Sequence, residues 1–169
     1  MEKAEHKAEP HMALNGLGKV PVVVDDGVPI SERAAICCYL ADKYAMGTLA
    51  PALDSPHRAA YLRWLFYSVG VLEPAYCEHF FDWKESSSRL AWGSLADAME
   101  TARAAVDGTE YLAGDQFTAA DVMMGSTLRW GVLFGIEPNE GPIAAYVERC
   151  TSRPAFKRAT AKEAELGGG

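Results

Sequence analysis

Cysteine is scarce in this chain: 4 residues of 169, with no Cys-x-x-Cys pair among them. That pattern excludes a dithiol redox centre and a structural zinc site of the usual spacing. Cys37 and Cys38 are neighbours on a predicted helix, a poor geometry for an unstrained bridge, and Cys77 and Cys150 stand alone in apolar stretches. All four read as buried, reduced thiols. Positive charge is also short. Sixteen Lys and Arg face 23 Asp and Glu, for a net charge of −7 and a pI near 5.1. This excess of acid argues against a surface for nucleic acid or an anionic membrane. No apolar run approaches the roughly 20 residues that span a bilayer. The opening MEKAEHKAEP is charged and lacks the hydrophobic core of a secretory leader, so the cytoplasm is the expected compartment. The histidines, His6, His11, His57 and His79, are scattered without ligand spacing, and no metal is expected. Phosphate-cradling loops of the GxGxxG or GxxxxGK type and a Gly-x-Ser-x-Gly elbow are missing too.

What is present is an ordinary globular composition, 49% hydrophobic and 23% charged, in a chain long enough for one cored domain or a small unit beside a helical one. Residues 1–13 form a charged lead-in with some helical character. Val22, Val23 and Val24 read as a buried strand, Asp26-Gly27 as a tight hairpin turn, and Val28-Pro29-Ile30 as the returning strand. Pro29 has no N–H for a ladder and must lie on an open edge. Ser31 is placed to cap a helix starting at Glu32, with Ile36, Tyr39, Leu40 and Tyr44 as its apolar stripe. A helix start carrying a carboxylate, beside the proline corner at Lys19-Val20-Pro21, makes a cradle for a small charged peptide. Residues 46–57 read as a linker, broken by Pro51 and Pro56, with Ser55 capping the next helix.

From there the pattern is helical. A long aromatic helix is expected from Pro56 to about Lys84, kinked at Pro74 with Gly70 easing the bend. Its aromatic residues pack between helices, with Tyr67, Tyr76 and Phe80 as candidate walls of an apolar pocket. Cys77 and His79, two residues apart, do not face one another and make no dyad. A second helix is expected from Ser88 to Val106. Thr118 and Asp121 then form a capping box, with Phe117 stapled onto Val122. As a cap, Asp121 should contribute roughly 1–2 kcal/mol. Helices opening at Pro142 and at Arg153-Pro154 complete the chain, and the terminal glycines read as a disordered tail.

GKVPVVVDDGVPISERAAICCYLADKY resembles the second half of the thioredoxin-like domain of cytosolic glutathione transferases. YLRWLFYSVGVLEPAY is similar to the first long helix of the bacterial members' helical domain, and YLAGDQFTAADVMMGSTLRWG to the capping motif of their core helix. RPAFKRA fits their last segment. The resemblance implies a fold of α/β plus all-α type: a partial thioredoxin-like half at 1–45, then a helical C-terminal domain at 58–166. It implies a cis bond at Pro21, a backbone contact from Val20 to the cysteinyl part of glutathione, and Glu32 on the γ-glutamyl ammonium. Arg33 stands where the family places a serine, and a guanidinium there can pair with the γ-glutamyl carboxylate. Lys19 is placed to reach the glycine end.

The implied activity is conjugation of glutathione, as co-substrate, to a small hydrophobic electrophile by a homodimeric detoxification enzyme. In the family the thiol-activating Tyr, Ser or Cys lies on a strand–helix–strand that this sequence does not contain. The catalytic residue is therefore unassigned, and a fragment or natural truncation is implied. The competing expectation is a non-catalytic interaction module on the same fold. The strand at Val22 should then have one bare edge, covered by residues 1–13, by a second chain, or by nothing.

Overall fold

The computed structural model describes residues 5–81, 83 and 89–167. A 3₁₀ turn at Glu5–Lys7 and a short helix α1 (Glu9–Met12) lead into a loop that carries the proline corner. Strands β1 (Val22–Asp25) and β2 (Val28–Ser31) follow, then α2 (Arg33–Tyr44). The remainder is helical: α3 (Arg58–Tyr67), a π turn (Ser68–Leu72), α4 (Glu73–Phe81), α5 (Leu95–Val106), α6 (Ala119–Leu133), α7 (Gly141–Thr151) and α8 (Pro154–Gly167).

The hairpin is antiparallel, with Val23 opposite Ile30 and Asp25 opposite Val28. Asp26 and Gly27 both take positive φ, 49° and 81°, as a tight two-residue turn requires. Pro29 is exposed on the outer edge of β2. β1 is less buried than its valines suggest: Val22 and Val23 are half-buried and Val24 is exposed. Among the described residues β1 pairs only with β2, and residues 5–13 add no strand to its other edge.

Several helix boundaries differ from the sequence expectation. Glu32, not Ser31, is the residue before α2, and its φ of 69° sets the chain's direction into the helix. Only Ala34, Ile36 and Ala41 of α2 are buried. Tyr39 and Tyr44 turn outward instead, because their hydroxyls donate to Asp25 at 2.8 and 2.7 Å. Lys43 joins them, 2.7 Å from both Asp25 and Asp26, and the cluster fastens the hairpin to α2. Ser55 does not begin α3; its hydroxyl accepts the His57 N–H at 3.2 Å in a turn, and the helix starts at Arg58. The expected kink at Pro74 is a π turn. Pro74 has no N–H to offer, and the Glu73 N–H reaches back five residues to the Ser68 carbonyl. The anticipated end of this helix at Lys84, the start of the next at Ser88 and the last two glycines lie outside the described residues. Among the described residues α5 starts at Leu95, where Ser94 accepts the Asp97 N–H at 3.1 Å.

The core lies between α3, α6 and α7 and includes Tyr61, Leu65, Leu72, Met124, Leu128, Ile143 and Tyr146, all at or below 1% exposure. Helix α6 runs through its centre. Asp121, fully buried, caps it as expected. One carboxylate oxygen accepts the Thr118 N–H at 2.8 Å and the Thr118 hydroxyl at 3.0 Å. The other takes the Leu112 N–H at 2.9 Å and the Tyr146 hydroxyl at 2.8 Å. Phe117 is drawn elsewhere: the Arg153 guanidinium sits 3.7 Å from its ring centre and Tyr111 meets it edge-on, while Val122, its expected staple partner, is exposed.

Candidate functional site

The proline corner and the start of α2 meet in one cleft of about 230 Å³, lined by Asn15, Lys19, Val20, Pro21, Glu32, Arg33, Ala34, Val69 and Glu73. All five residues singled out from the sequence are there. The cleft's geometry follows from its loop. Asn15, only 9% exposed, donates from its amide to the Lys19 carbonyl at 2.9 Å and accepts the Leu17 N–H at 3.1 Å. The His11 ring also reaches the Lys19 carbonyl, at 3.0 Å. Gly18 is required at its position. Its φ is +54°, and an added Cβ would lie 2.6 Å from Met12 Sδ and 2.7 Å from the His6 carbonyl. With Lys19 anchored this way, the Val20–Pro21 peptide bond is cis, as the family resemblance implies. Val20 itself is exposed, and among the described residues its N–H and C=O make no hydrogen bond. It lines the cleft.

Across the cleft, Glu32 has φ 69° and ψ 116°, outside the ordinary left-handed basin, a costly conformation for a residue with a side chain. Such positions persist where surrounding structure over-determines them, and they cluster at ligand sites. The first N–H groups of α2 open beside it, at the positive end of a 12-residue helix. Arg33 pairs with Glu73, which comes from the start of α4. Thus Lys19 and Arg33 bring positive charge to the cleft, and Glu32 and Glu73 bring negative charge. The arrangement suits a ligand that is itself zwitterionic and carries peptide groups.

Asn15, Val69 and Glu73 were not visible as site residues in the sequence. Asn15 sits in a loop with no motif around it, and Glu73 reads as an ordinary helix-surface acid ahead of a proline. Larger hollows open elsewhere, one of about 510 Å³ beside Arg63, Trp64 and Asp97, but none combines a cis-proline corner, a strained residue and a helix start. Cys37, Cys38 and Cys150 are unsuited to act as nucleophiles. Burial pushes Cys37 and Cys38 up and lifts Cys150 to about 12, leaving each protonated near neutrality. Of the aromatic candidates, Tyr67 is engaged in packing, its hydroxyl donating to the Ala98 carbonyl at 3.0 Å. Tyr76 is buried against Gly131. Phe80 alone is exposed, edge-on to Phe134, which stacks on Trp130. No cluster of His, Cys, Asp or Glu among the described residues could hold a metal ion, and no described helix is long and apolar enough to cross a membrane.

Residues 1–43 match the family model described as glutathione S-transferase, N-terminal domain. The glutathione S-transferase GstA of Escherichia coli O157:H7 is 29% identical over 167 residues, 96% of this chain and 83% of that protein. A sphingomonad glutathione S-transferase solved with glutathione superposes with a TM-score of 0.74 at 28% identity, covering 92% of this chain and 79% of the other. A Methylococcus capsulatus glutathione transferase superposes with a TM-score of 0.72 at 29% identity, covering 90% and 77%. With its hairpin, proline corner and α2 start in one cleft and its helical half built on a capped α6, the chain is similar to glutathione S-transferases along most of its length.

Proposed function

We propose that the cleft binds glutathione and that the protein conjugates it to a small hydrophobic electrophile. The observation that carries this reading is the meeting of Val20, Pro21, Glu32 and Arg33 in one cleft around a cis peptide bond. In the proposed pose the free Val20 N–H and C=O pair with the cysteinyl peptide unit as an added strand would. Glu32 takes the γ-glutamyl ammonium. Arg33 and the α2 N–H groups take the adjoining carboxylate, a charge-assisted contact helped by the helix dipole. Lys19 meets the glycine carboxylate. The cleft is smaller than the roughly 300–1,000 Å³ that encloses a whole drug-sized ligand, which suits a site holding part of a tripeptide and leaving its thiol open.

Conjugation then consists of loss of the thiol proton, attack of the sulfur on an electrophilic carbon, and departure of that carbon's leaving group. The exposed aromatic group of Phe80, Phe134 and Trp130 supports an apolar, planar electrophile. The group that takes the thiol proton is not assigned. Detoxification by a cytoplasmic homodimer completes the proposal. The free cysteines support the compartment, and an apolar hollow beside Ala35, Cys38, Tyr39 and Phe66 supports self-association.

Titration calorimetry with glutathione tests the site. Glu32→Ala and Arg33→Ala should each weaken binding about tenfold. No heat of binding from the parent protein would overturn the proposal. Turnover of a chromogenic aryl halide tests the chemistry separately; binding without turnover would indicate a glutathione-binding module.

A further inference from the structure

Glu73 is the charged residue of the cleft that the proposed contacts leave without a role. It belongs to the helical half, and it enters the cleft because of the π turn before it. The turn inserts one residue into the helix, and the Glu73 N–H closes it on the Ser68 carbonyl. Turns of this kind are rare inside α-helices and recur at functional sites. The Glu73 carboxylate is held from two sides. Arg33 pairs with its Oε1, and the hydroxyl of Thr127, 2% exposed, donates to the same oxygen at 3.5 Å. Thr127 lies on α6, so this contact ties Glu73 to the central helix of the core.

The consequence falls on Arg33. An arginine in the first turn of a helix has many rotamers, and most point to water. Its planar fork carries donors on three nitrogens. Pairing one of them, Nη2, with Glu73 fixes the plane while Nε and Nη1 keep no partner among the described residues. The pair is also electrically balanced, so it leaves the cleft suited to a zwitterionic head group. A serine needs no such partner, because a hydroxyl on one rotatable bond is already in place.

Resting on the glutathione reading above, we infer that Glu73 is a positioning residue. It orients Arg33 toward the γ-glutamyl carboxylate and so sets the preference for ligands that carry that group. The test compares glutathione with 4-aminobutyryl-cysteinyl-glycine, which keeps the ammonium and lacks only that carboxylate. The parent protein should prefer glutathione by about tenfold, the size of one charge-assisted contact. Glu73→Gln should reduce that preference to within about threefold. A circular dichroism spectrum and a cooperative melt like the parent's show that the variant is folded, and Arg33→Ala should lower the preference at least as far, to what the α2 N–H groups alone supply. A Glu73→Gln variant that keeps the full preference, or a parent that binds both ligands equally, overturns the inference and leaves glutathione binding standing. A parent that binds neither overturns both.

Discussion

Asp121 shows how far a single side chain can exceed the role its motif suggests. A surface capping acid contributes about 1–2 kcal/mol. Here the carboxylate is fully buried and receives donors from Thr118, Leu112 and Tyr146, so removing it strands all of them. Burial beside this carboxylate also pushes the Tyr146 hydroxyl well above its ordinary range and keeps it a donor. Asp121→Ala should therefore lower stability by about 3 kcal/mol or more, read from urea unfolding. A loss near 1 kcal/mol would mean that only the cap matters. Asp25 makes a pH prediction. Hydrogen bonds from Lys43, then Tyr44 and Tyr39, hold its carboxyl down at about 2 against an ordinary 3.8. A depressed carboxyl stabilises the fold above its unfolded value and loses that contribution as pH falls, here between 3.8 and about 2. Asp25→Asn should flatten the melting temperature over this window, and a parallel curve for parent and variant would rule the cluster out. At this scale the sequence exposes residues whose type is unusual for their place, such as Glu32 and Arg33 after a hairpin. Asn15 and Glu73 act through distant partners, the Lys19 carbonyl and Arg33, and leave no local mark.

The helices approach closely where α6 carries glycine. A Cβ on Gly131 would lie 2.5 Å from the Tyr76 hydroxyl oxygen and 3.1 Å from the ring carbon behind it. Alanine gains up to about 1 kcal/mol of helix propensity, yet the overlap with a buried ring should outweigh it, for a net loss of about 1–3 kcal/mol. The Tyr76 hydroxyl is buried and has no partner among the described residues, so Tyr76→Phe should be neutral or stabilising. Combining the two should recover part of the Gly131→Ala loss, because the nearest clashing atom is gone. Strict additivity in a double-mutant cycle would refute this contact. Element types and order were legible here, since period-2 and period-3.6 patterns survive any context. Boundaries were not. The α2 start moved because the backbone at Glu32 turns sharply, and α5 begins at Leu95 because Ser94 before it finds Asp97 three residues on. The π turn was legible only as a kink, because proline marks the lost N–H but not its remedy.

Across the whole molecule, α2 is joined to the later helices through buried Ala34 and Ala41 and through polar joints. Arg58 grips Asp42 with both terminal nitrogens, at 2.8 and 2.7 Å, and takes the Pro51 carbonyl at 3.1 Å. Arg58→Ala should cost about 2 kcal/mol and loosen α2, so glutathione binding should weaken although Arg58 lies outside the cleft. Unaltered affinity in a destabilised variant would show that α2 is held by its apolar face alone. None of these joints could be read from the sequence, because each pairs residues whose spacing obeys no repeat.

The segment between α2 and α3 leans on α6: the Ala119 N–H donates to the Leu49 carbonyl at 2.8 Å, and the Gln116 amide to the Thr48 carbonyl at 2.8 Å. Winding the first turn of the central helix and seating the strap that carries α2 are thus a single event. On gentle heating, fraying at Thr118 would release the strap and scatter the ligand-facing groups while far-ultraviolet dichroism still reports a helical protein.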